Sequence, residues 1–538
     1  MVTVSVPSAV SSQTFSVLVN GVAQTTLTGS QVYGPIALTG LELLTVTGST
    51  VYAGQSVLVA GEVRFVGVGE ANPPPDVFNV VEKYGADPTG VQDSTAAFQR
   101  AFDAAAPNSL GMAGTVWAPP GIYTISAPIL VGPYQPTSTV PVSYPSFISL
   151  SSNGLIGDGD SQGGSSPGAV TLRASSSFPA QEYLLTYNAP NNNVSPAGAW
   201  IKGISVDCNN QAAGVKLWQP RQFHVEDLTV AHANPVAGYG AFDVDQYNAS
   251  AAWRNYFEKV YVQFSTADGI RHAADDFPTY VSPTVQNATR YGYNIAGGSG
   301  AWINPNYYQG AGSANVAAIA AACGGSSLLY MYGFAFVGSG PGTGGPNIAL
   351  QVWGQGGINH LPAIFESCAF ENGPASGTGE SAGANVWVQD AQAGNSCPVK
   401  FRSCSFFAGP YTTDWIYVDA GVAAGDLVTY EGCSFHGSPI THQFNDASGN
   451  DLLRFRNCDG INPVGPVTVA VPASGSATAP LPYDATFYIT QSTAASSVAV
   501  QGQTIDIPVG GPTAIRVPAG QTLTPTYSTA PTWVVMGE

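Results

Sequence analysis

The clearest pattern of apolar and polar positions near the start of the chain lies in Phe78–Ile125. Apolar runs at its two ends predict strands, and Gly85–Gly90, with a proline and two glycines, predicts a turn after the first strand. Between them, apolar residues recur at helical spacing, at Ala97, Phe98, Ala101, Phe102 and Ala105. This spacing predicts one amphipathic helix near 94–106, with Asp93 or Ser94 as its capping residue.

After this helix the pattern changes to short strands that repeat. An aromatic or β-branched residue, two polar or small residues and then Cys, Val or Leu recur in IKGISVDCNNQ (201–211), FHVEDLTVAHA (223–233), YFEKVYVQFST (256–266), IFESCAFENGP (364–374), KFRSCSFFAGP (400–410), TYEGCSFHGSP (429–439) and RFRNCDGINPV (454–464). Self-similarity at a period of about 20–50 residues is typical of a solenoid, and alternating strands make it a β-solenoid. The pattern is interrupted between Phe257 and Phe365, where we predict irregular coils.

Four cysteines occupy one equivalent place in this repeat and are 36, 29 and 25 residues apart: Cys368, Cys404, Cys433 and Cys458. In a solenoid they would stack on the inside, because a free cysteine behaves as a small apolar side chain. The chain has seven cysteines and no CxxC pair. We therefore predict buried free thiols, with neither a disulfide framework nor a zinc site.

Composition divides the chain into four parts. Residues 1–66 alternate apolar and polar positions and predict a small β module, which the proline-rich linker 67–77 joins to the solenoid. The solenoid with its helix spans 78–464. Residues 465–538 are almost uncharged and rich in Val, Thr, Ala and Pro, which predicts a C-terminal β-sandwich-like domain.

The segment FNVVEKYGADPTGVQDSTAAFQRAFDAA, followed by GTVWAPPGIYTI, resembles the opening of the pectate-lyase-superfamily β-helix in the form found in phage tailspikes. The resemblance implies an all-β, right-handed parallel β-helix with an N-terminal capping helix and small flanking β domains. The helix would cover the first coil, because the open end of a solenoid exposes core side chains and strand edges. The resemblance also implies a homotrimer, virion attachment through the N-terminal module, and recognition of a host-surface polysaccharide.

The net charge of the chain argues against two classes of partner. The 538 residues include 34 acidic and 16 basic side chains, a net charge of −18. This excess repels phosphate backbones and anionic lipids, so we expect neither nucleic acid nor a membrane as partner. We also see no apolar run long enough to cross a bilayer and no secretion signal. A virion-surface protein released by lysis fits this pattern, as does a secreted protein whose signal has been removed.

The candidate chemistry concentrates in 236–276. Glycoside hydrolysis needs two carboxyl groups across the scissile bond, and Asp243 and Asp245 alternate along one predicted strand. Their side chains would share a face about 6.5–7 Å apart, near the separation in inverting enzymes. The predicted catalytic set is Asp243, Asp245, Asp268, Asp275 and Asp276. The predicted substrate-binding residues are Tyr247, Trp253, Arg271 and His272, with Glu371 as a further acid in a later coil.

Several motifs are incomplete. The lone Asp275-Asp276 pair is all that remains of the polygalacturonase pattern, so the resemblance transfers no catalytic residue. Gly157–Gly163 suggests a calcium loop, but Ala169 stands where the twelfth-position glutamate belongs, and a turn is the better interpretation. We expect no metal and no cofactor.

Three functions stay open from the sequence. The leading one is a tailspike-like receptor-binding protein that recognises, and also depolymerises, a host-surface polysaccharide. The second is a non-enzymatic spike or adhesin that binds glycans. The third is a secreted pectin-type lyase or hydrolase. The sequence leaves open whether the protein is an enzyme.

Overall fold

The computed structural model describes strand backbone in the first 76 residues, at 2–5, 14–19, 22–28, 32–36 and 44–48, and then residues 77–106, 113–132, 142–143, 146–148, 170–187, 196–246, 254–274, 277–297, 299–309, 314–323, 328–338, 345–354, 362–371, 384–389, 398–408, 414–422, 427–437, 442–450, 452–459, 465–491, 493 and 496–537. The chain divides into two compact units, residues 1–77 and 78–538.

The first unit contains antiparallel strands. Val2–Ser5 pairs with Val32–Ile36, and Thr14–Val19 lies between Val22–Thr28 and Leu44–Gly48. The alternation seen in this part of the sequence is typical of such short antiparallel strands.

The second unit is built on two long parallel sheets. Sheet I contains Val77–Asn79, Thr89–Asp93, Thr115–Trp117, Gly121–Ile125, Ser146–Ile148, Val170–Ala174, Trp200–Asp207, His224–Ala233, Tyr256–Ser265, Thr279–Val281, Thr284–Ala288, Gly300–Ile303, Asn306–Gln309, Leu329–Tyr332, Ala335–Gly338, Ala363–Glu366, Val399–Arg402, Val428–Glu431 and Leu453–Arg456. Sheet II contains Ile129–Val131, Leu185–Tyr187, Val215–Trp218, Gly240–Asp245, Asp268–His272, Tyr291–Ile295, Ala314–Cys323, Gly345–Gly354, Ala384–Gln389, Asp414–Val418 and His442–Asp446.

Smaller pairings complete the coils. Ala369–Glu371, Ser405–Ala408 and Ser434–Gly437 form a three-stranded parallel sheet, and Val142–Ser143 pairs with Pro196–Ala197. The chain thus alternates between two sheets while each strand pairs in parallel with the equivalent strand of the next coil. The right-handed parallel β-helix predicted from the sequence is confirmed.

Ten successive coils share one bend in sheet I, at an equivalent residue in the left-handed backbone region. The bend residues are Gly203, Asp227, Lys259, Ser282, Asn304, Gly333, Ser367, Ser403, Gly432 and Asn457. From Ser282 to Gly432 each bend residue donates its backbone N–H to a carbonyl of the next coil at 2.7–3.0 Å. This bend is the second residue after the inward aromatic or β-branched position. It explains why small or polar residues recur there, since many of them tolerate positive φ.

The prediction of irregular coils between Phe257 and Phe365 is wrong for the described strands. The strands of this region stack in register like the others. Pro283 and Pro305 follow the bend residues there, in the place that Cys, Val or Leu holds elsewhere. The substitution hides the repeat in the sequence while the backbone keeps it.

The core between the sheets contains the inward residues, and its later coils stack aromatic rings. Phe365, Phe401, Tyr430 and Phe455 lie one above another, with ring centroids 5.4, 4.7 and 4.9 Å apart. The predicted cysteine ladder lies beside this stack. Cys368, Cys404, Cys433 and Cys458 are buried and free, and the Cys404 thiol lies 3.4 Å from the Phe365 carbonyl oxygen.

We expect the four ladder thiols to resist alkylation in the native protein. Burial raises the pKa of the Cys404 thiol, and a hydrogen bond with Cys404 is the main reason that the pKa of Cys433 rises to about 12. Little thiolate, the reactive form, is therefore present at Cys404 and Cys433 at neutral pH, and burial shields all four thiols from the reagent. Peptide mapping after iodoacetamide treatment should show the four peptides unmodified in buffer and modified in guanidinium. Fast native labelling of Cys404 or Cys433 would contradict the inward placement.

The single apolar stripe near the start of the second unit forms the helix Thr95–Ala104. Its buried face lies on the first coils, where Phe98 meets Tyr123 edge-on at 5.1 Å and Phe102 meets Tyr187 at 6.4 Å. Ser94 occupies the N-cap position without a side-chain capping bond, whereas Asp93 Oδ1 accepts from the Thr95 N–H at 3.0 Å. No helix in the described part of the chain has the length and apolar character needed to cross a bilayer.

The last part of the second unit is antiparallel. One sheet contains Gly465–Val467, Ala485–Thr490, Pro512–Val517 and Thr532–Gly537, and another contains Ser496–Val500, Gln503–Ile507 and Leu523–Thr526. Their buried residues form a second core around Phe487, Ile489 and Leu523.

Candidate functional site

Two aspartates of the predicted set lie together on the outer side of sheet II, between two cations. The parallel register places Lys216, Asp243 and Arg271 at equivalent positions of three successive coils. Lys216 Nζ lies 3.2 Å from Asp243 Oδ1 and 3.0 Å from Asp245 Oδ2. Arg271 Nη1 lies 2.9 Å and 3.0 Å from the same two oxygens. We call Lys216, Asp243, Asp245 and Arg271 the ion cluster.

Asp243 is the most enclosed member of the ion cluster. Its side chain is fully buried, and its second oxygen, Oδ2, accepts hydrogen bonds from the Tyr183 hydroxyl at 2.9 Å and the Gly240 N–H at 3.0 Å. Burial, and next the nearby Asp243 charge, raises the pKa of Tyr183 well above its ordinary value. Tyr183 therefore acts as a hydrogen-bond donor to Asp243 at physiological pH.

Three aromatic rings surround the cations. Lys216 Nζ lies 4.1 Å from the ring centroid of Trp218, 4.6 Å from that of Tyr239 and 5.4 Å from that of Tyr183. The Arg271 guanidinium lies 5.1 Å from the Tyr239 centroid. These distances suit cation–π attraction. Lys216 is only 1% exposed, whereas Tyr239 is 38% exposed, so Tyr239 forms the outer surface of the site.

Asp245 and Arg271 keep their charges across the physiological pH range. Burial raises the pKa of Asp245, but the stronger combined effect of Lys216 and Arg271 leaves it below the ordinary value. Burial likewise lowers the pKa of Arg271, while the two aspartates more than reverse this change. Asp245 is therefore an ionised acceptor at neutral pH and is suited to a base or nucleophile rather than to a general acid.

Asp268 forms a separate ion pair one coil further along. The Nε and Nη2 atoms of Arg290 each lie 2.5 Å from one of its oxygens, and the Asn294 amide donates to Oδ2 at 2.6 Å. Burial raises the pKa of Asp268, and the pairing with Arg290 only partly offsets this. Its side chain is fully buried, so it does not present an accessible carboxyl group.

The other predicted residues lie elsewhere. His272 points into the core, where Nδ1 lies 3.0 Å from the Tyr280 hydroxyl and the ring meets Trp302 edge-on. It is fully buried, so the predicted contact with a surface glycan is wrong for this residue. Glu371 is exposed at the end of Ala369–Glu371, and partial burial raises its pKa. It lies five coils from Asp243, which is roughly 24 Å along the axis of the solenoid at the usual strand spacing.

Four predicted residues, Tyr247, Trp253, Asp275 and Asp276, lie outside the described residues, and their roles stay predictions. In the described segments no group of three or more His, Cys, Asp or Glu is placed to hold a metal ion.

Four residues of the site were not predicted from the sequence: Tyr183, Lys216, Trp218 and Tyr239. A signal for one of them exists, since VKLW (215–218) has a lysine between inward apolar residues of a strand. Its relation to AFDVDQY, one coil later, becomes visible only when the two strands are placed in register.

A second polar surface lies on the outer side of sheet I in the same coils. Trp200 and His224 stack with centroids 4.1 Å apart, and Tyr256 meets His224 edge-on at 4.9 Å. Beside them Lys202 pairs with Glu226 at 2.8 Å, and Glu226 stands next to Glu258 in the parallel register. This surface combines aromatic faces with paired charges, as do the ion cluster and the three rings around it.

Comparison with known proteins agrees with the fold. Residues 77–219 match the model of the family described as rhamnogalacturonase A/epimerase, pectate lyase-like. This segment is pectate lyase-like. No curated protein sequence matches the chain.

Several solved structures are similar to this chain at low identity. ORF18 of Geobacillus virus E2 is 14% identical over 86% of this chain and 76% of that chain, with a TM-score of 0.45. The catalytic unit of the GH87 α-1,3-glucanase of Streptomyces thermodiastaticus is 15% identical over 85% and 86%, with a TM-score of 0.40. The tailspike protein of Acinetobacter phage vB_ApiP_P1 is 11% identical over 86% and 88%, with a TM-score of 0.40.

Proposed function

We propose that this protein is a tailspike-like receptor-binding protein that recognises a host-surface polysaccharide along the outer side of its β-helix. The observation that carries the proposal is the exposed Tyr239 ring beside the charged heads of Asp245 and Arg271. An aromatic face suits the apolar side of a sugar ring, while a carboxylate accepts from hydroxyl groups and a guanidinium donates to them. The parallel β-helix supplies a long, regular face on which several sugar units fit.

The proposal includes a homotrimer at the virion surface, attached through the N-terminal module. The sequence resemblance supports this assembly. The oligomeric state of the purified protein is measurable by sedimentation velocity, and a monomer at micromolar concentration would contradict the trimer.

Cleavage is the second part of the proposal. Asp245 is ionised and partly accessible, which favours it as base or nucleophile, and Asp275 and Asp276 remain the proposed sources of a proton donor. Incubation with a panel of surface polysaccharides, followed by chain length, new reducing ends and unsaturated-sugar absorbance, separates the outcomes. Shorter chains with new reducing ends and no absorbance indicate a hydrolase, and absorbance indicates a lyase. If the protein binds a glycan but its chains stay intact, the protein is a non-enzymatic adhesin.

Removing the aromatic face should weaken glycan binding. We expect Tyr239→Ala to reduce affinity about 10-fold, because a central aromatic contact contributes more than about 1 kcal/mol to binding. Tyr488→Ala is the matched control, since Tyr488 is similarly exposed, at 42% against 38%, but lies in the C-terminal antiparallel sheet. Isothermal titration with the same glycan measures both variants. Equal affinity of wild type and Tyr239→Ala would remove the ion cluster from the binding surface.

A further inference from the structure

We infer that the polysaccharide recognised by this protein is uncharged, an inference that rests on the proposed function. An anionic polysaccharide, such as a polymer of uronic or sialic acid, needs cations that are available to its carboxylates. The chain has 16 basic residues, and every one except Arg64 lies in the described segments. The segments outside the description therefore hold no Lys or Arg that could change the balance beyond that one residue.

At least eight of these basic residues already form ion pairs with carboxylates of the chain: Arg173, Lys202, Lys216, Lys259, Arg271, Arg290, Arg402 and Arg516. The pairs include the cations of the ion cluster. They also include Lys202, which lies beside the surface rings of Trp200 and His224 on sheet I. On both surfaces a sugar would therefore meet a cation together with a carboxylate.

The ion cluster itself is balanced, with two carboxylates and two cations. Arg271, the cation nearest to Tyr239, is held by Asp243 and Asp245 at 2.9 Å and 3.0 Å. A sugar carboxylate at this place would have to displace Asp245 or share Arg271 with it at a cost in repulsion. A hydroxyl group can instead donate to Asp245 and accept from Arg271, so an uncharged sugar uses both members of the pair.

The overall charge acts in the same direction. With a net charge of −18, the protein repels a polyanion at distances up to the Debye length, about 8–10 Å in physiological salt. An uncharged polymer is indifferent to this field. Its binding should therefore depend little on ionic strength.

The test measures binding of the protein to an array of size-matched bacterial surface polysaccharides. Dextran, mannan and galactan serve as uncharged references, and polygalacturonate, alginate and hyaluronate serve as anionic references. Each titration is run at low and physiological ionic strength, with EDTA and with calcium, because calcium can bridge two sets of carboxylates. We expect binding to an uncharged polymer that changes less than about twofold with salt. Binding to anionic polymers should be weaker by at least about tenfold. Tighter binding of an anionic polymer, with or without calcium, overturns the inference and leaves the proposed function standing. Failure to bind every polymer overturns both.

A charge variant provides a second test. Asp245→Asn leaves Arg271 with one carboxylate instead of two, so we expect about a two- to fivefold gain in affinity for anionic polymers at low salt. Asp484→Asn is the control, because it makes the same change in net charge at the Arg516 pair of the C-terminal sheet. An equal gain in both variants would assign the effect to net charge alone. No gain in either would contradict the inference at this site, because it would show that the pairing of Arg271 with Asp245 is not what excludes anionic sugars.

Discussion

Replacing Lys216 with methionine should destabilise the protein by about 3–5 kcal/mol, the usual cost of removing one partner from a buried ion pair. Lys216 is 1% exposed and binds both Asp243 and Asp245. Methionine fills a similar volume but leaves two carboxylates beside the single charge of Arg271. The fully buried Asp243 cannot recover this loss by contact with water.

The matched control is Lys202→Met, which removes an exposed ion pair with Glu226 on sheet I and should cost no more than about 1 kcal/mol. Guanidinium unfolding followed by tryptophan fluorescence measures both variants. The double variant Lys216→Met with Asp243→Asn should recover part of the loss, because it removes the uncompensated charge. Equal stability of the two single variants would mean that water reaches the ion cluster.

The second large effect is expected at the capping helix. Phe102→Ala should destabilise the protein by about 3–5 kcal/mol, as a buried phenylalanine usually does when it is truncated. Phe102 is fully buried on the face that lies against the first coils, and its ring meets that of Tyr187. The loss also uncovers strand edges and core side chains at the end of the solenoid, so aggregation should accompany it.

Asp103→Ala serves as the control on the solvent side of the same helix, where a change within about 0.5 kcal/mol is expected. Thermal unfolding with simultaneous light scattering compares the two variants. If the Phe102→Ala variant unfolds and aggregates at the same temperature as the Asp103→Ala variant, the helix does not protect the first coil.

The capping helix could be predicted from the sequence because its signal is local. Ala97, Phe98, Ala101 and Phe102 recur at helical spacing within one stretch, and all four are buried. The cysteine ladder could be predicted from the sequence for a related reason, since its members share one local sequence context. The common face of Asp243 and Asp245 likewise follows from alternation in a strand.

The remainder of the site could not be predicted because it depends on the length of each coil. Lys216 precedes Asp243 by 27 residues and Arg271 follows it by 28, yet the next equivalent residue, Asn294, comes after only 23. Such variation hides which strands stand side by side. Tyr183 and Tyr239 lie outside the strands of sheet II altogether, so no repeat pattern marks them.

Strand alternation separates two residues that the sequence analysis places together. Arg271 and His272 were both predicted to face a substrate, although neighbouring residues in a strand point to opposite faces. Once Arg271 faces outward, His272 must face the core, where it contacts Tyr280. The alternation that places the two aspartates on one face therefore places Arg271 and His272 on opposite faces.

The stacked left-handed bends have a consequence for redesign of the molecule. Because each coil bends at the same place and pairs only with its two neighbours, one coil is a module that can be duplicated or exchanged. Each added module would lengthen the outer face by about 4.8 Å without altering the geometry of the modules on either side. The length of the β-helix can thus be changed in small steps until it matches the repeat length of a polymer.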